Sequence, residues 1–160
     1  MTEKSKSFPP ASAGELKGRA LRLLAGREFS RAELARRLAP HAASGAAIET
    51  LLAQLEAGKQ LSDARFAEAR ARQLSRKFGA ERVRRDLLAK GVAQDVAARL
   101  AADFSQGDLE RAQAILARKY RTAATTRKER ARRMRFLQSR GFSLDVIRNA
   151  IEGAASGESP

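Results

Sequence analysis

Three stretches share one pattern: Glu33-Leu34-Ala35-Arg36-Arg37, Glu81-Arg82-Val83-Arg84-Arg85 and Glu129-Arg130-Ala131-Arg132-Arg133. Each begins 48 residues after the one before it. A helix-like run ending in an aromatic precedes every copy: Gly26-Arg27-Glu28-Phe29, Arg76-Lys77-Phe78 and Arg118-Lys119-Tyr120. Lys90-Gly91-Val92 leading to Asp95-Val96 closes the second copy, and Arg140-Gly141-Phe142 leading to Asp145-Val146 closes the third. The first copy diverges, with Pro40-His41-Ala42 in place of the glycine turn. A fixed period of this size marks stacked supersecondary units that bury a continuous core only together.

Outward from these stretches, each unit reads as three short helices. Lys17–Glu28 is helical in pattern, and Ser30 with Glu33 has the spacing of a capping box for the next helix. Ser44 opens a third helix through Ile48, Leu51, Leu52 and Leu55. In the second unit Ser62 or Asp63 caps a helix carrying Phe66, and Gly91 ends the helix of Val83 and Leu87. The third unit starts near Asp108, with a middle helix from about Thr126 to Arg140 and a last one from Ser143 that stops before Gly153. The expected fold is all-α: three tandem three-helix repeats over 16–60, 61–105 and 106–152, stacked into an elongated curved array. Polar, small-residue tails at 1–15 and 153–160 are expected to be disordered.

Composition supports helices. The chain has 33 Ala and 18 Leu against four Val and four Ile. Ala and Leu favour helix, whereas strands draw on β-branched residues. Lys and Arg outnumber Asp and Glu by 32 to 18, a net charge of +14. The excess is +4 over residues 17–60, +4 over 61–104 and +7 over 105–152, so it belongs to the repeats and not to a tail. Such a surface favours polyanions or acidic protein faces as partners. No Cys is present, which excludes disulfides and thiolate sites. The opening residues lack the apolar run of a signal peptide, and no stretch reaches the 18 or so apolar residues of a membrane span. A cytoplasmic monomer without membrane contact is the expectation.

Catalytic patterns are missing. His41 is the lone histidine and adjoins Pro40. Gly14-Glu15-Leu16-Lys17-Gly18-Arg19 lacks the Gly-Lys-Ser/Thr ending and the preceding strand of a phosphate loop. The reading is a protein that is not an enzyme and needs no cofactor or metal. Its signal is arginine, a guanidinium suited to bidentate contact with phosphate or carboxylate. Arg70, Arg72, Arg76, Lys77, Arg82, Arg84 and Arg85 form one dense cluster. Residues 121–140 hold eight basic groups against one acid, with Lys128, Arg132 and Arg135 on one helix side, Arg133 and Arg140 beside them, and Ala131, Met134 and Leu137 turned towards a core. Part of this charge is structural, because Glu33, Glu81 and Glu129 each stand three and four residues before arginines and can pair within a helix. The aromatics, at helix ends or on apolar faces, read as core plugs.

These residues resemble the RecX family. Leu61-Ser62-Asp63-Ala64-Arg65-Phe66-Ala67 is similar to its LDDxRFA segment, with Ser62 in place of the first acid. Ser75-Arg76-Lys77-Phe78-Gly79, then Arg82-Val83-Arg84 and Leu87, looks like SRKGYGxxRIRxEL with one residue fewer before the turn. Arg133, Phe136-Leu137 and Arg140-Gly141-Phe142 resemble the closing RxxxFLxxRGF block, and Ala20–Leu24 with Ser30–Leu34 resembles the family's start. The resemblance covers about residues 16–152. It implies a protein that binds the RecA recombinase in the groove of its filament on single-stranded DNA and suppresses ATP hydrolysis, strand exchange and co-protease action. The other reading is a DNA-binding helical module. Base-edge reading would draw on Asn and Gln, and the chain has one Asn, so its contacts would be independent of sequence.

Overall fold

A computed structural model describes residues 9–156. Every regular element among them is helical: α1 (Ala13–Gly26), α2 (Arg31–Leu38), a 3-10 turn (Ala39–His41), α3 (Gly45–Ala57), α4 (Asp63–Ser75), α5 (Ala80–Ala89), α6 (Gln94–Ser105), α7 (Asp108–Lys119), α8 (Arg127–Ser139) and α9 (Leu144–Ser156). The chain forms two compact units, the first ending at Phe66 and the second beginning at Ala67, inside α4.

In the first unit α1, α2 and α3 pack on one another around Leu16, Phe29, Leu34, Leu38, Leu52 and Leu55, all six no more than 4% exposed. In the second, α5 packs on α6, while α7 and α8 both pack on α9 around Leu116, Leu137, Phe142, Ile147 and Ile151. Burying one such side chain contributes roughly 1.5–3 kcal/mol. The apolar spacing read from the sequence is therefore the core.

The helix ends correct two boundaries. The first helix starts at Ala13 and not at Lys17, because Ser12 and Glu15 form a reciprocal capping box. Ala11 also donates its N–H to the His41 carbonyl at 2.9 Å. Residues 13–15, expected in a disordered tail, are thus helical. The last helix runs through Gly153 to Ser156. Gly153 lies inside α9 and does not end it. The remaining tail residues, 1–8 and 157–160, lie outside the described residues.

Three helices stop in the same way. Val92 N–H bonds to the Leu87 carbonyl, Phe142 to Leu137 and Gln60 to Leu55, the six-to-one bond of a Schellman cap. That cap needs a left-handed residue between, supplied by Gly91 (φ 81) and Gly141 (φ 82). The third such end closes α3, the last helix of the first repeat, and uses Lys59 (φ 57) with a glycine one place earlier, at 58. Gly141 has a second duty. A Cβ there would stand 2.5 Å from Arg82 Cβ, and one at Gly79 would stand 2.4 Å from the Gly141 carbonyl oxygen. Gly79 N–H also donates to the Arg140 carbonyl at 2.9 Å. Substitutions separate these roles. Lys59→Gly should raise unfolding free energy by about 1 kcal/mol, since only the left-handed penalty is relieved. Gly141→Ala should lower it by about 2 kcal/mol or more, since it adds a backbone clash to that penalty. Urea denaturation of the two variants checks both signs.

Candidate recombinase and nucleic-acid interface

The twelve cations singled out from the sequence separate into two groups. Arg70 and Arg133 are built into the fold, and Arg140 largely so. Arg70 lies on α4 and forks onto Asp86 of α5, with Nε and NH2 donating at 2.8 and 2.9 Å. Arg133 is 5% exposed, donates to the Thr122 carbonyl and stands 4.6 Å from the Tyr120 ring centre. Arg140 follows α8, donates to the Lys77 carbonyl at 3.0 Å and lies against Phe136 and Phe78 at 4.8 and 5.7 Å.

Arg133 corrects the reading of α8. The inward face carries 133, 137 and 140 and half-buries 136, while Met134 is 36% exposed. With so few apolar residues on this helix, the arginine stem and its stacked guanidinium take the inward place. Lys119 extends the stack, with Nζ 4.0 Å from the Phe136 ring, and Phe136 meets Tyr120 edge to face at 6.1 Å. Arg82 lies 5.2 Å from Phe78. Phe78, Tyr120 and Phe136, all half-buried, are thus faced by cations and serve the core as plugs, as do the buried Phe29, Phe66 and Phe142. Phe8 lies outside the described residues.

Arg84 and Arg85 sit between the two groups. Arg84 pairs with Glu81 at 2.9 Å, and Arg85 approaches the same carboxylate at 3.8 Å. The Arg84 hydrogen bond holds the Glu81 carboxyl below its ordinary value, and the carboxylate in turn raises Arg84. Glu81 alone of the three repeated glutamates is seen paired as expected. Glu33 reaches Arg27 at 3.2 Å. Glu129 accepts the backbone N–H groups of Thr126 and Thr125 at 3.1 and 2.9 Å, which lower its carboxyl. At a helix start a carboxylate gains more from unsatisfied N–H groups than from a solvated arginine a turn away.

The second group is exposed: Arg72 on α4, Arg76 and Lys77 in the turn after it, Arg82 on α5, and Lys128, Arg132 and Arg135 on α8. None of these seven has an ion pair among the described residues. Lys128, Arg132 and Arg135 share one side of α8, and Arg127 adds a further exposed cation at its start. The single acid there is Glu129, already committed to the cap. Such a surface gains by meeting negative charge.

Sequence reasoning placed Asp63 and Asp108 at helix starts, where the structure has them, but missed their reach back to earlier helices. Asp63 Oδ1 accepts the N–H of Arg31, first residue of α2, at 2.7 Å. Asp108, 3% exposed, accepts the N–H of Ala80, first residue of α5, at 3.1 Å and takes Arg111 at 2.5 Å. Each carboxylate begins a later helix and caps an earlier one. The signal was available in an Asp recurring 45 residues apart at helix starts. The sole histidine contributes its backbone carbonyl to Ala11, and no grouping of metal-binding side chains occurs among the described residues. Nor is any described helix long and apolar enough to cross a membrane.

Sequence models of the second and third three-helix domains of RecX match residues 62–99 and 106–151. A regulatory protein RecX from Herbaspirillum seropedicae is 43% identical over 146 residues, 91% of this chain and 93% of the relative. The chain belongs to the RecX family. A regulatory protein RecX from Neisseria meningitidis is 37% identical over 139 residues, 87% of this chain and 90% of its own length. The crystal structure of RecX from Lactobacillus salivarius superposes with a TM-score of 0.74 over 90% of this chain and 97% of that one, at 18% identity. A second RecX crystal structure gives the same TM-score at 19% identity, over 90% of this chain and 73% of that one. The all-helical tandem-repeat fold is thereby the family's, and the relatives are regulatory proteins.

Two expectations follow for stability. Arg133→Ala should cost about 2 kcal/mol or more, through lost stem packing, a lost ring contact and an unpaired Thr122 carbonyl, whereas Arg132→Ala should stay within about 0.5 kcal/mol in the same urea titration. The Glu129 carboxyl titrates lower in the folded chain than unfolded, so its stabilisation is present above the ordinary value of 4.5 and is lost as pH falls below it. Thermal melts should therefore show Glu129→Gln less stable than the parent at neutral pH, with the gap closing in acid.

Proposed function

We propose that this chain regulates the RecA recombinase by binding its filament on single-stranded DNA and suppressing ATP hydrolysis, strand exchange and co-protease action without catalysis of its own. Membership of the RecX family supports the partner. The observation that carries the mode of contact is the set of exposed cations left over after the fold has used its share: Arg72, Arg76, Lys77, Arg82, Lys128, Arg132 and Arg135. They lie on α4, in the turn after it, on α5 and on α8, a spread that suits contact with an extended acidic surface. Arg84, Arg85 and the partly exposed Arg140 flank them. On this reading arginine forks pair with recombinase carboxylates, and single-stranded DNA is a secondary contact.

A second reading, a sequence-independent DNA-binding module, draws on α8, where cations gather without a competing acid. The two differ in salt dependence. Phosphate contacts on single strands give a log–log slope of about −0.7 for each phosphate neutralised. Carboxylate pairing instead makes Arg132→Ala and Arg135→Ala weaken filament binding while affinity for bare single-stranded DNA holds. The test is RecA ATP hydrolysis on single-stranded DNA with the chain at equimolar ratio, together with both binding titrations at matched salt. Suppression that Arg132→Ala relieves is the expected result. Undiminished hydrolysis overturns the inhibitory reading, and proportional loss of both affinities favours the DNA module.

A further inference from the structure

Two turns of the second unit meet backbone to backbone. Gly79, which ends the turn after α4, donates its N–H to the Arg140 carbonyl at 2.9 Å. Arg140, which ends α8, donates from its side chain to the Lys77 carbonyl at 3.0 Å. The crossing leaves no room for a side chain. A Cβ at Gly79 would stand 2.4 Å from the Gly141 carbonyl oxygen, and one at Gly141 would stand 2.5 Å from Arg82 Cβ. Conformation does not call for glycine at position 79, because its φ of −76° and ψ of 167° are open to any residue. As the residue before α5 it also forgoes the side-chain cap that Ser or Asp would make. What this glycine supplies is close approach.

We infer that this crossing is a joint that presets the spacing of two groups of exposed cations for a partner, with Arg140 as a positioning residue and not a contact. About the turn stand Arg76, Lys77 and Arg82, and on α8 stand Lys128, Arg132 and Arg135. Each group is tied to the joint directly. Arg140 holds the Lys77 carbonyl while the Lys77 side chain stays exposed, and Arg82 starts from the backbone that Gly141 packs against. On the other side α8 carries its cations back from Arg140 as a rod. At about 1.5 Å per residue, Arg135 and Arg132 lie roughly 8 and 12 Å along it. The Arg140 guanidinium joins the same two segments again, 4.8 Å from the Phe136 ring of α8 and 5.7 Å from the Phe78 ring of the turn. Groups already spaced need not be ordered on binding, so a partner that meets both keeps free energy that a loose pair would lose. The inference rests on the filament-binding reading above and gives it a geometry: the filament meets both groups as one preset array.

Gly79→Ala tests the joint without touching a charge. The parent, Gly79→Ala, Arg132→Ala and the double variant are titrated against the RecA filament on single-stranded DNA at one salt concentration, with far-ultraviolet dichroism to show that each is helical. Arg132→Ala should weaken binding about tenfold in the parent but less than about threefold beside Gly79→Ala, because a loosened α8 no longer brings Arg132 to its place. A mere loss of folded protein lowers every affinity by one factor and leaves the cost of Arg132→Ala unchanged. Arg140→Ala, run as a second background, should shrink that cost in the same way and stands alone should Gly79→Ala fail to fold. An Arg140 that touched the partner would instead add its own loss to that of Arg132. An equal cost of Arg132→Ala in the parent and in these backgrounds overturns the inference and leaves the filament-binding reading intact. A parent that does not bind the filament, or that loses nothing with Arg132→Ala, overturns that reading and this inference with it.

Discussion

The backbone N–H that begins a helix has no partner within that helix, and two such groups here are satisfied from farther along the chain. Asp63 takes the amide of Arg31 and Asp108 takes that of Ala80. An orphaned buried donor costs about 1–3 kcal/mol, so each carboxylate fixes where a later helix must start relative to an earlier one. Around Asp108 other contacts follow. Arg111 ties the carboxylate to the Phe104 carbonyl at the end of α6, and the backbone of Gly79, next to Ala80, closes on that of Gly141. The third repeated segment caps itself instead, through Thr126, Thr125 and Glu129.

Charge on this scale opposes compaction, and the fold answers by giving arginines internal work. Arg70 replaces a hydrophobic bridge between α4 and α5 with a two-bonded fork. Arg133 and Arg140 present aliphatic stems and flat guanidinium faces to Tyr120, Phe136 and Phe78. A contact of this kind contributes about 0.5–2 kcal/mol according to its burial. The consequence for function is a sorting by geometry: cations whose groups meet a carbonyl or a ring are spent, and those on the outer side of α8 and about the α4–α5 turn remain available to a partner.

Helix number and spacing were legible because they follow from apolar recurrence and from glycine at fixed places, both local properties. Gly91 and Gly141 end helices as their positions suggested, and α8 lies one residue inside each expected limit. What escaped depended on pairs far apart in sequence. Nothing near Asp108 reveals that its partner is Ala80, and nothing in the run around Arg133 marks it as buried while Arg132 is exposed. The start of α1 was missed for another reason. Ser12 and Glu15 have the spacing of a capping box, but proline and small residues just before them gave the whole stretch the look of a tail.

Helix ends ordinarily fray before helix middles, and a repeat protein can lose one terminal segment at a time. The borrowed caps change that order. The amide of Ala80 stays protected only while the residues opening α7 remain in place, and the amide of Arg31 only while those opening α4 do. Opening of the first turn of α7 or of α4 therefore releases the first amide of α5 or of α2 with it. Fluctuation in one segment is felt at the leading edge of the helix before it, and the chain transmits disorder backwards, from later residues to earlier ones.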